Sequence, residues 1–103
     1  MAPLAFTFDD IKIYIYNDDH LPIHIHAQKG EFESVFELAI ESNKLVDIVL
    51  GPADNANKEL QEKEIKKVKK FLKKYWKEVV EKWEKLVVFK TSITVKRISG
   101  LWI

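Results

Sequence analysis

The chain has 103 residues, a formal net charge of +1 and no cysteine, so it is long enough for one domain that buries a core of its own. The absence of thiols excludes a disulfide framework and thiolate metal sites. No apolar run approaches a membrane span, and the first ten residues lack the basic and apolar regions of a secretion signal. We therefore expect a single domain over residues 1–103, located in the cytoplasm and not in a membrane.

The net charge conceals an uneven distribution along the chain. Residues 1–57 carry three lysines and ten acidic residues, whereas residues 58–85 carry eleven lysines and six glutamates. Either the two halves attract each other within the fold, or each faces a partner of opposite charge.

Two segments near the N-terminus alternate between apolar and polar residues, at 11–16 and 23–28. Strict alternation is typical of a half-buried strand, and the Asn, Asp and Pro residues between the segments favour a turn. We predict an antiparallel hairpin whose isoleucines enter the core. Tyr14, Tyr16, His24 and His26 then share the opposite face of the sheet.

Two further strands are predicted at 32–40 and 45–50, which makes an antiparallel meander of about four strands. In the first of them Phe36 and Leu38 point to the core, so Glu33 and Glu37 join the tyrosines and histidines on the other face.

A long amphipathic helix is predicted over residues 58–86, because apolar residues recur every three or four positions. Asp54, Asn55 and Asn57 precede it as candidate capping residues. Nearly 30 helical residues would span roughly 45 Å, more than the width of such a domain. The helix therefore kinks near residues 73–77, overhangs the sheet, or meets a second copy of itself in a homodimer.

Residues 89–98 return to strand character, and we expect this C-terminal extension, residues 87–103, to add a strand to the sheet or to exchange it with a partner. The predicted fold class is α+β: an antiparallel meander of about four strands, one long amphipathic helix packed on it, and a C-terminal strand.

All three histidines lie within seven residues, at His20, His24 and His26. Histidines at i and i+2 on a strand offer two nitrogen ligands to one ion, and His20 could be the third. Such a site would take a divalent metal, of which zinc is the first candidate. Its fourth ligand or supporting carboxylate would come from the nearby acidic residues Asp18, Asp19, Glu33 or Glu37. The competing interpretation is that these histidines, with Tyr14 and Tyr16, form a surface that binds a protein partner.

Nucleic-acid binding is a weaker alternative. The sheet face is acidic, which disfavours phosphate, and the lysine-rich helix has interspersed glutamates and no arginine, as a solvated helix face does. We therefore expect no nucleic-acid partner. The chain has no glycine-rich phosphate loop and no nucleophile arrangement, so enzymatic activity stays undecided.

The order Asn17-Asp18-Asp19-His20, then Leu21-Pro22-Ile23-His24-Ile25-His26, resembles a small bacterial family known as domain of unknown function 4160. The family's signature is close to Asn-Asp-His-x-Pro-Pro-His-Phe-His. The resemblance covers about residues 5–86, and it implies a small stand-alone protein without an established activity. Members are often encoded beside another small domain, which suggests a toxin-antitoxin-like pair.

Two hypotheses follow. The first is a protein-interaction module, as half of a toxin-antitoxin-like pair, that uses the face with Tyr14, Tyr16, His24, His26, Glu33 and Glu37. The second is a metal-dependent hydrolase with His20, His24 and His26 as ligands and a carboxylate as general base.

Overall fold

The computed structural model describes residues 3–16, 22–51 and 58–99. Among them, one helix, α1 (Glu62–Trp83), packs on one face of a six-stranded mixed sheet with the strand order β5-β4-β3-β2-β1-β6. The strands are β1 (Leu4–Phe8), β2 (Ile11–Tyr14), β3 (His24–Lys29), β4 (Phe32–Glu41), β5 (Lys44–Leu50) and β6 (Lys96–Arg97). The α+β class is confirmed, but the sheet has more strands than expected and is not purely antiparallel.

The four predicted meander strands are β2 to β5, and each pairs antiparallel with the next. Burial in β2, β3 and β4 alternates as the sequence pattern predicts, with Ile11, Ile13, Ile25 and Phe36 fully buried. The alternation arises because side chains of successive strand residues point to opposite faces. We call the face that carries these residues the inner face and the opposite one the outer face.

Strand β1 has no counterpart in the sequence prediction. It pairs antiparallel with β2, but the register shifts between Leu4 and Phe6, so both Ala5 and Phe6 are buried and the alternation is interrupted. The two strands are joined by Asp9 and Asp10, which have φ values of 48° and 63°. Two consecutive left-handed residues form the tight hairpin turn that usually contains glycine, and its absence hides the turn in the sequence.

The helix begins four residues later than predicted, because residues 58–60 dock on the sheet. The Glu33 N–H donates to the Lys58 carbonyl over 2.7 Å, and the Leu60 N–H donates to the buried Ser34 Oγ over 3.0 Å. These bonds hold the segment in an extended conformation beside β4. The proposed capping residues Asp54, Asn55 and Asn57 lie outside the described residues.

The helix also ends earlier than predicted. After Trp83 it widens into one π-helical turn, Glu84–Val88, in which the Phe89 N–H donates to the Glu84 carbonyl. Its 22 residues span about 33 Å, which matches the 32 Å extent of the molecule. The helix runs unbroken through residues 73–77, so the predicted break there is wrong. At 22 residues the helix no longer supports the length argument for an overhang. The homodimer stays a prediction, but the length of the helix no longer supports it.

The core lies between α1 and the inner face. Phe71 packs edge-on against Phe6, with ring centroids 5.0 Å apart, and stacks on Phe8 at 4.8 Å. Val68, Leu72 and other apolar residues of α1 are buried in the same cluster. No helix in the described part of the chain is both long and apolar enough to cross a bilayer.

The predicted C-terminal strand over 89–98 reduces to β6, which pairs within its own chain and parallel to β1. Residues before it are used elsewhere, since the Thr91 N–H caps the Lys85 carbonyl. The Lys82 ammonium donates to the Thr94 carbonyl and to the Ala5 carbonyl. One lysine thus joins the helix, the β1 bulge and the C-terminal segment.

Replacing the buried hydroxyl in Ser34→Ala should lower the free energy of unfolding by about 1–3 kcal/mol, because the Leu60 N–H would lose its acceptor in a buried place. Urea denaturation followed by circular dichroism measures this. Ser92→Ala, at an exposed position, is the matched control and should change stability by less than about 0.5 kcal/mol. Equal effects of the two substitutions would contradict the assigned role of Ser34.

Lys82→Met should destabilise the fold by roughly 1–3 kcal/mol at neutral pH, since two carbonyls lose a charged donor. Burial, reinforced by the charges of Lys96 and Lys85, lowers the pKa of Lys82 from 10.5, against the opposing effect of Glu78 and Glu81. The unfolded chain therefore binds more protons just below pH 10.5, and the Lys82 contribution to stability rises with pH there.

The pH dependence is measured as the difference between wild type and Lys82→Met. That comparison is needed because hydrogen bonding to Glu78 raises the pKa of Lys96, which makes the Lys96 contribution fall as the pH rises through and above 10.5, next to the range in which the Lys82 contribution rises. The stability advantage of the wild type should grow as the pH approaches 10.5. A constant or shrinking difference would contradict the burial of the Lys82 charge.

Candidate functional site

The outer face of the sheet carries the six residues that the sequence singles out. Register places Tyr14 opposite His26 across β2 and β3, and His24 opposite Glu37 across β3 and β4. Glu33 of β4 lies opposite Gln28, the next residue of β3 after His26 on the same face. These residues reach one surface because their neighbours on both sides in the chain, such as Ile25, enter the core.

Three rings form the centre of this surface. The Tyr16 ring lies 4.1 Å from the His26 ring between centroids, and the His24 ring lies 5.6 Å from the His26 ring in an edge-to-face arrangement. Such contacts are favourable beyond the area they bury. The three rings and Tyr14 are all half-buried. We call Tyr14, Tyr16, His24 and His26 the aromatic cluster.

His24 has an assigned tautomer because its Nδ1 lies 2.8 Å from the Pro22 carbonyl oxygen. A carbonyl oxygen only accepts, so the bond requires a proton on Nδ1. In the neutral ring the lone pair is then on Nε2. Histidines that ligate metals commonly have their other ring nitrogen held in this way.

His26 is oriented by a carboxylate. Its Nδ1 lies 3.6 Å from Glu33 Oε2, and the two side chains are only 16% and 14% exposed. The distance is longer than a hydrogen bond but within reach of an ionic interaction. The Glu33 carboxylate is thus the acidic group that lies beside the His26 ring on this surface.

Only two of the three histidines that the metal hypothesis uses as ligands, His24 and His26, lie among the described residues. Within residues 3–16, 22–51 and 58–99, no group of three or more histidine or acidic side chains could hold an ion. His20, Asp18 and Asp19, which the hypothesis also uses, lie outside that part of the chain. Two imidazoles beside Glu33 suit zinc chemically, but Glu37 is related to them by register alone.

The outer face continues onto β5, which the sequence prediction did not include in the site. Val49 lies opposite Glu37 and is 43% exposed, and Asp47 lies opposite Ala39. Register makes this extension visible. The sequence of β5 alone could not indicate it, because a register shift opposite Ala39 and Ile40 interrupts the alternation and leaves Leu45 and Ile48 as its more buried residues. The surface is therefore aromatic on one side and apolar and acidic on the other.

Two ionisable residues have roles that sequence analysis missed. Glu64 in the first turn of α1 is only 5% exposed, and its Oε2 lies 3.8 Å from Lys29 Nζ. Lys82 donates to the Ala5 and Thr94 carbonyls, as described above. Both follow the helical period of the core side, Glu64 one turn before Val68 and Lys82 three residues after Val79, and that period is the signal that could have identified them.

Comparison with known proteins gives one family. No curated protein and no solved structure matches the chain. The family model described as Domain of unknown function (DUF4160) matches residues 10–84, which include β2 to β5 and α1. Because the match covers most of the chain, this protein belongs to the DUF4160 family.

Proposed function

We propose that this chain is a small cytoplasmic bacterial protein-interaction module whose outer sheet face binds a small protein partner, as one half of a toxin-antitoxin-like pair. The observation that carries the proposal is the aromatic cluster on the sheet face opposite α1. α1 occupies the other face, where its apolar residues fill the core.

The composition of the outer face suits a protein partner. Tyrosine and other aromatic residues supply much of the energy at interfaces, because they bury a large area with few rotatable bonds. The rings of Tyr16, His26 and His24 already pack on one another, so little ordering remains to oppose binding. Exposed Val49 extends the apolar part of the same surface.

The charge of the outer face indicates the chemistry of the partner. Glu33 and Glu37 flank the aromatic cluster, and Asp47 lies beyond them on β5. A partner with basic residues around an apolar centre would complement this arrangement and would be steered to it. Membership of DUF4160 leaves the biochemical role open, so the partner must be sought directly.

The double variant Tyr14→Ala/Tyr16→Ala should weaken binding to the protein encoded by the adjacent gene by about tenfold or more, because it removes two aromatic anchors. The two proteins are purified separately, and the dissociation constant is measured by calorimetry. Circular dichroism and a melting curve establish that the variant is folded.

Phe89→Ala is the matched control, since Phe89 is an aromatic residue that is 64% exposed and lies after the π-helical turn, away from the sheet. It should leave the dissociation constant within about twofold of the wild type. Loss of binding in the control as well as the double variant, or in neither, would overturn the assignment of the outer face as the interface.

A metal-dependent hydrolase is the second candidate, and the tautomer of His24 favours it. The bond from Nδ1 to the Pro22 carbonyl leaves Nε2 as the ligating atom, and the Glu33 carboxylate lies 3.6 Å from Nδ1 of His26. Here His20, His24 and His26 would hold a divalent metal such as zinc, and a nearby carboxylate would act as general base.

This candidate predicts that calorimetric titration with zinc, nickel or manganese gives a dissociation constant of about 1 μM or below. His24→Ala/His26→Ala should abolish binding, because two of the three ligands are lost. Gln28→Ala is the control, since it lies on the same strand and face but offers no imidazole. Binding that survives the double substitution, or no binding by the wild type, would remove the hydrolase from consideration.

A further inference from the structure

The solvent side of α1 between residues 63 and 77 is a continuous basic surface. It bears eight lysines within 15 residues: Lys63, Lys66, Lys67, Lys69, Lys70, Lys73, Lys74 and Lys77. All of them are exposed or half-buried, and they occupy the side of the helix opposite the core residues Val68, Phe71 and Leu72. We call them the lysine face.

Lysines outnumber acidic residues along this face. Between Lys63 and Lys77 the chain contains one acid, Glu64, which is buried and lies beside Lys29 of β3. Glu62 contacts Lys66 at the beginning of the helix, and Asp9 contacts Lys67 from the sheet. The interspersed glutamates on which the sequence interpretation relied therefore lie inward, at the first turn, or beyond Lys77.

The spacing of the lysines forms a straight row. Lys63, Lys66, Lys70, Lys73 and Lys77 follow each other at intervals of three and four residues, which places them on one line along the helix. The row is about 21 Å long. One strand of a nucleic-acid duplex presents about six phosphates over that length.

We propose that the lysine face binds the phosphate backbone of double-stranded nucleic acid without sequence preference. The row of ammonium groups runs along the phosphates and releases counterions from them. Lysine acts as a point charge on phosphate, and the helix carries no arginine that could read guanine bidentately. This function lies beyond the partner binding proposed above and uses the opposite side of the molecule.

The composition of the lysine face favours nucleic acid over a membrane or a protein. Among the described residues, the exposed large hydrophobics lie on β5, in the π-helical turn and in the C-terminal segment, and none lies on α1. A membrane-surface helix needs apolar residues to insert, and a protein interface needs apolar anchors. A phosphate backbone requires only regularly placed positive charge.

The remainder of the molecule orients this face toward a polyanion. Glu33, Glu37 and Asp47 lie on the outer face of the sheet, while the lysines lie across the core from them. Acidic and basic charges are therefore separated on opposite sides of the molecule, although the net charge is only +1. A polyanion is attracted to the helix side and repelled from the sheet side.

The test is fluorescence anisotropy of a labelled duplex of about 20 base pairs and arbitrary sequence, titrated with the full chain at about 50, 100 and 200 mM potassium chloride. We expect binding whose affinity falls with salt, with a logarithmic slope of about −3 to −5 for three to five neutralised phosphates. Lys66→Gln/Lys73→Gln/Lys77→Gln should weaken binding about tenfold or more and reduce the slope by about 2–3.

Two matched variants serve as controls for this triple glutamine variant. Lys12→Gln/Lys44→Gln/Lys58→Gln removes the same charge from exposed positions elsewhere and should retain most of the affinity. Lys66→Arg/Lys73→Arg/Lys77→Arg keeps the charge and should bind as the wild type does. Glutamine and arginine are good helix formers, so the helix is preserved, and circular dichroism verifies it.

Three outcomes would overturn the proposal. The first is no binding at the lowest salt. The second is an equal loss in the control triple variant, since the affinity would then follow net charge alone. The third is tighter binding to polyglutamate or to vesicles containing phosphatidylserine than to the duplex, measured with the same protein, since the lysine face would then serve an acidic protein or a lipid surface.

Discussion

Phe71 of α1 packs edge-on against Phe6 and stacks on Phe8, and this contact decides which face of the sheet the helix covers. Truncating a buried phenylalanine costs about 3–5 kcal/mol, a large share of the 5–15 kcal/mol that stabilises a typical domain. Strand registers that turn Ile13 or Ile25 away from the helix would forfeit comparable burial. The outer face therefore carries the polar members of each alternating strand, and the aromatic cluster is a consequence of that register.

Elements with strong local periodicity could be predicted from the sequence. The alternation of residues 11–16 and 23–28 places Tyr14, His24 and His26 on the outer face, and register in the structure agrees. The helix and its apolar side follow from the period of three to four residues. Strand β1 was missed because a bulge at Ala5 interrupts its alternation and its turn, Asp9 and Asp10, has no glycine.

The helix limits could not be predicted, because tertiary hydrogen bonds set them. Periodicity continues from 58 to 86, yet the Ser34 hydroxyl holds the Leu60 N–H beside β4. At the other end Lys82 ties the C-terminal segment to the β1 bulge, and residues 89–95 cannot join the sheet. The partners in these bonds are 26 and 77 residues apart, beyond the reach of any local pattern. Likewise, the helical period places Glu64 on the inward side, but no local pattern reveals that its partner is Lys29.

The two proposed surfaces are physically independent, because the core layer separates them. The aromatic cluster, with Glu33, lies on the sheet side, and Lys66 and Lys73 lie on the far side of α1. A protein bound to the sheet would contact none of the lysines, so steric exclusion between it and a nucleic acid is not expected. Electrostatics still couples the two events. A basic partner that neutralises Glu33 and Glu37 would make the molecule more positive, but across the sheet, the core and the helix this effect is screened at physiological salt, where the Debye length is about 8 Å. Any strong coupling would therefore have to come from the partner itself reaching the nucleic acid.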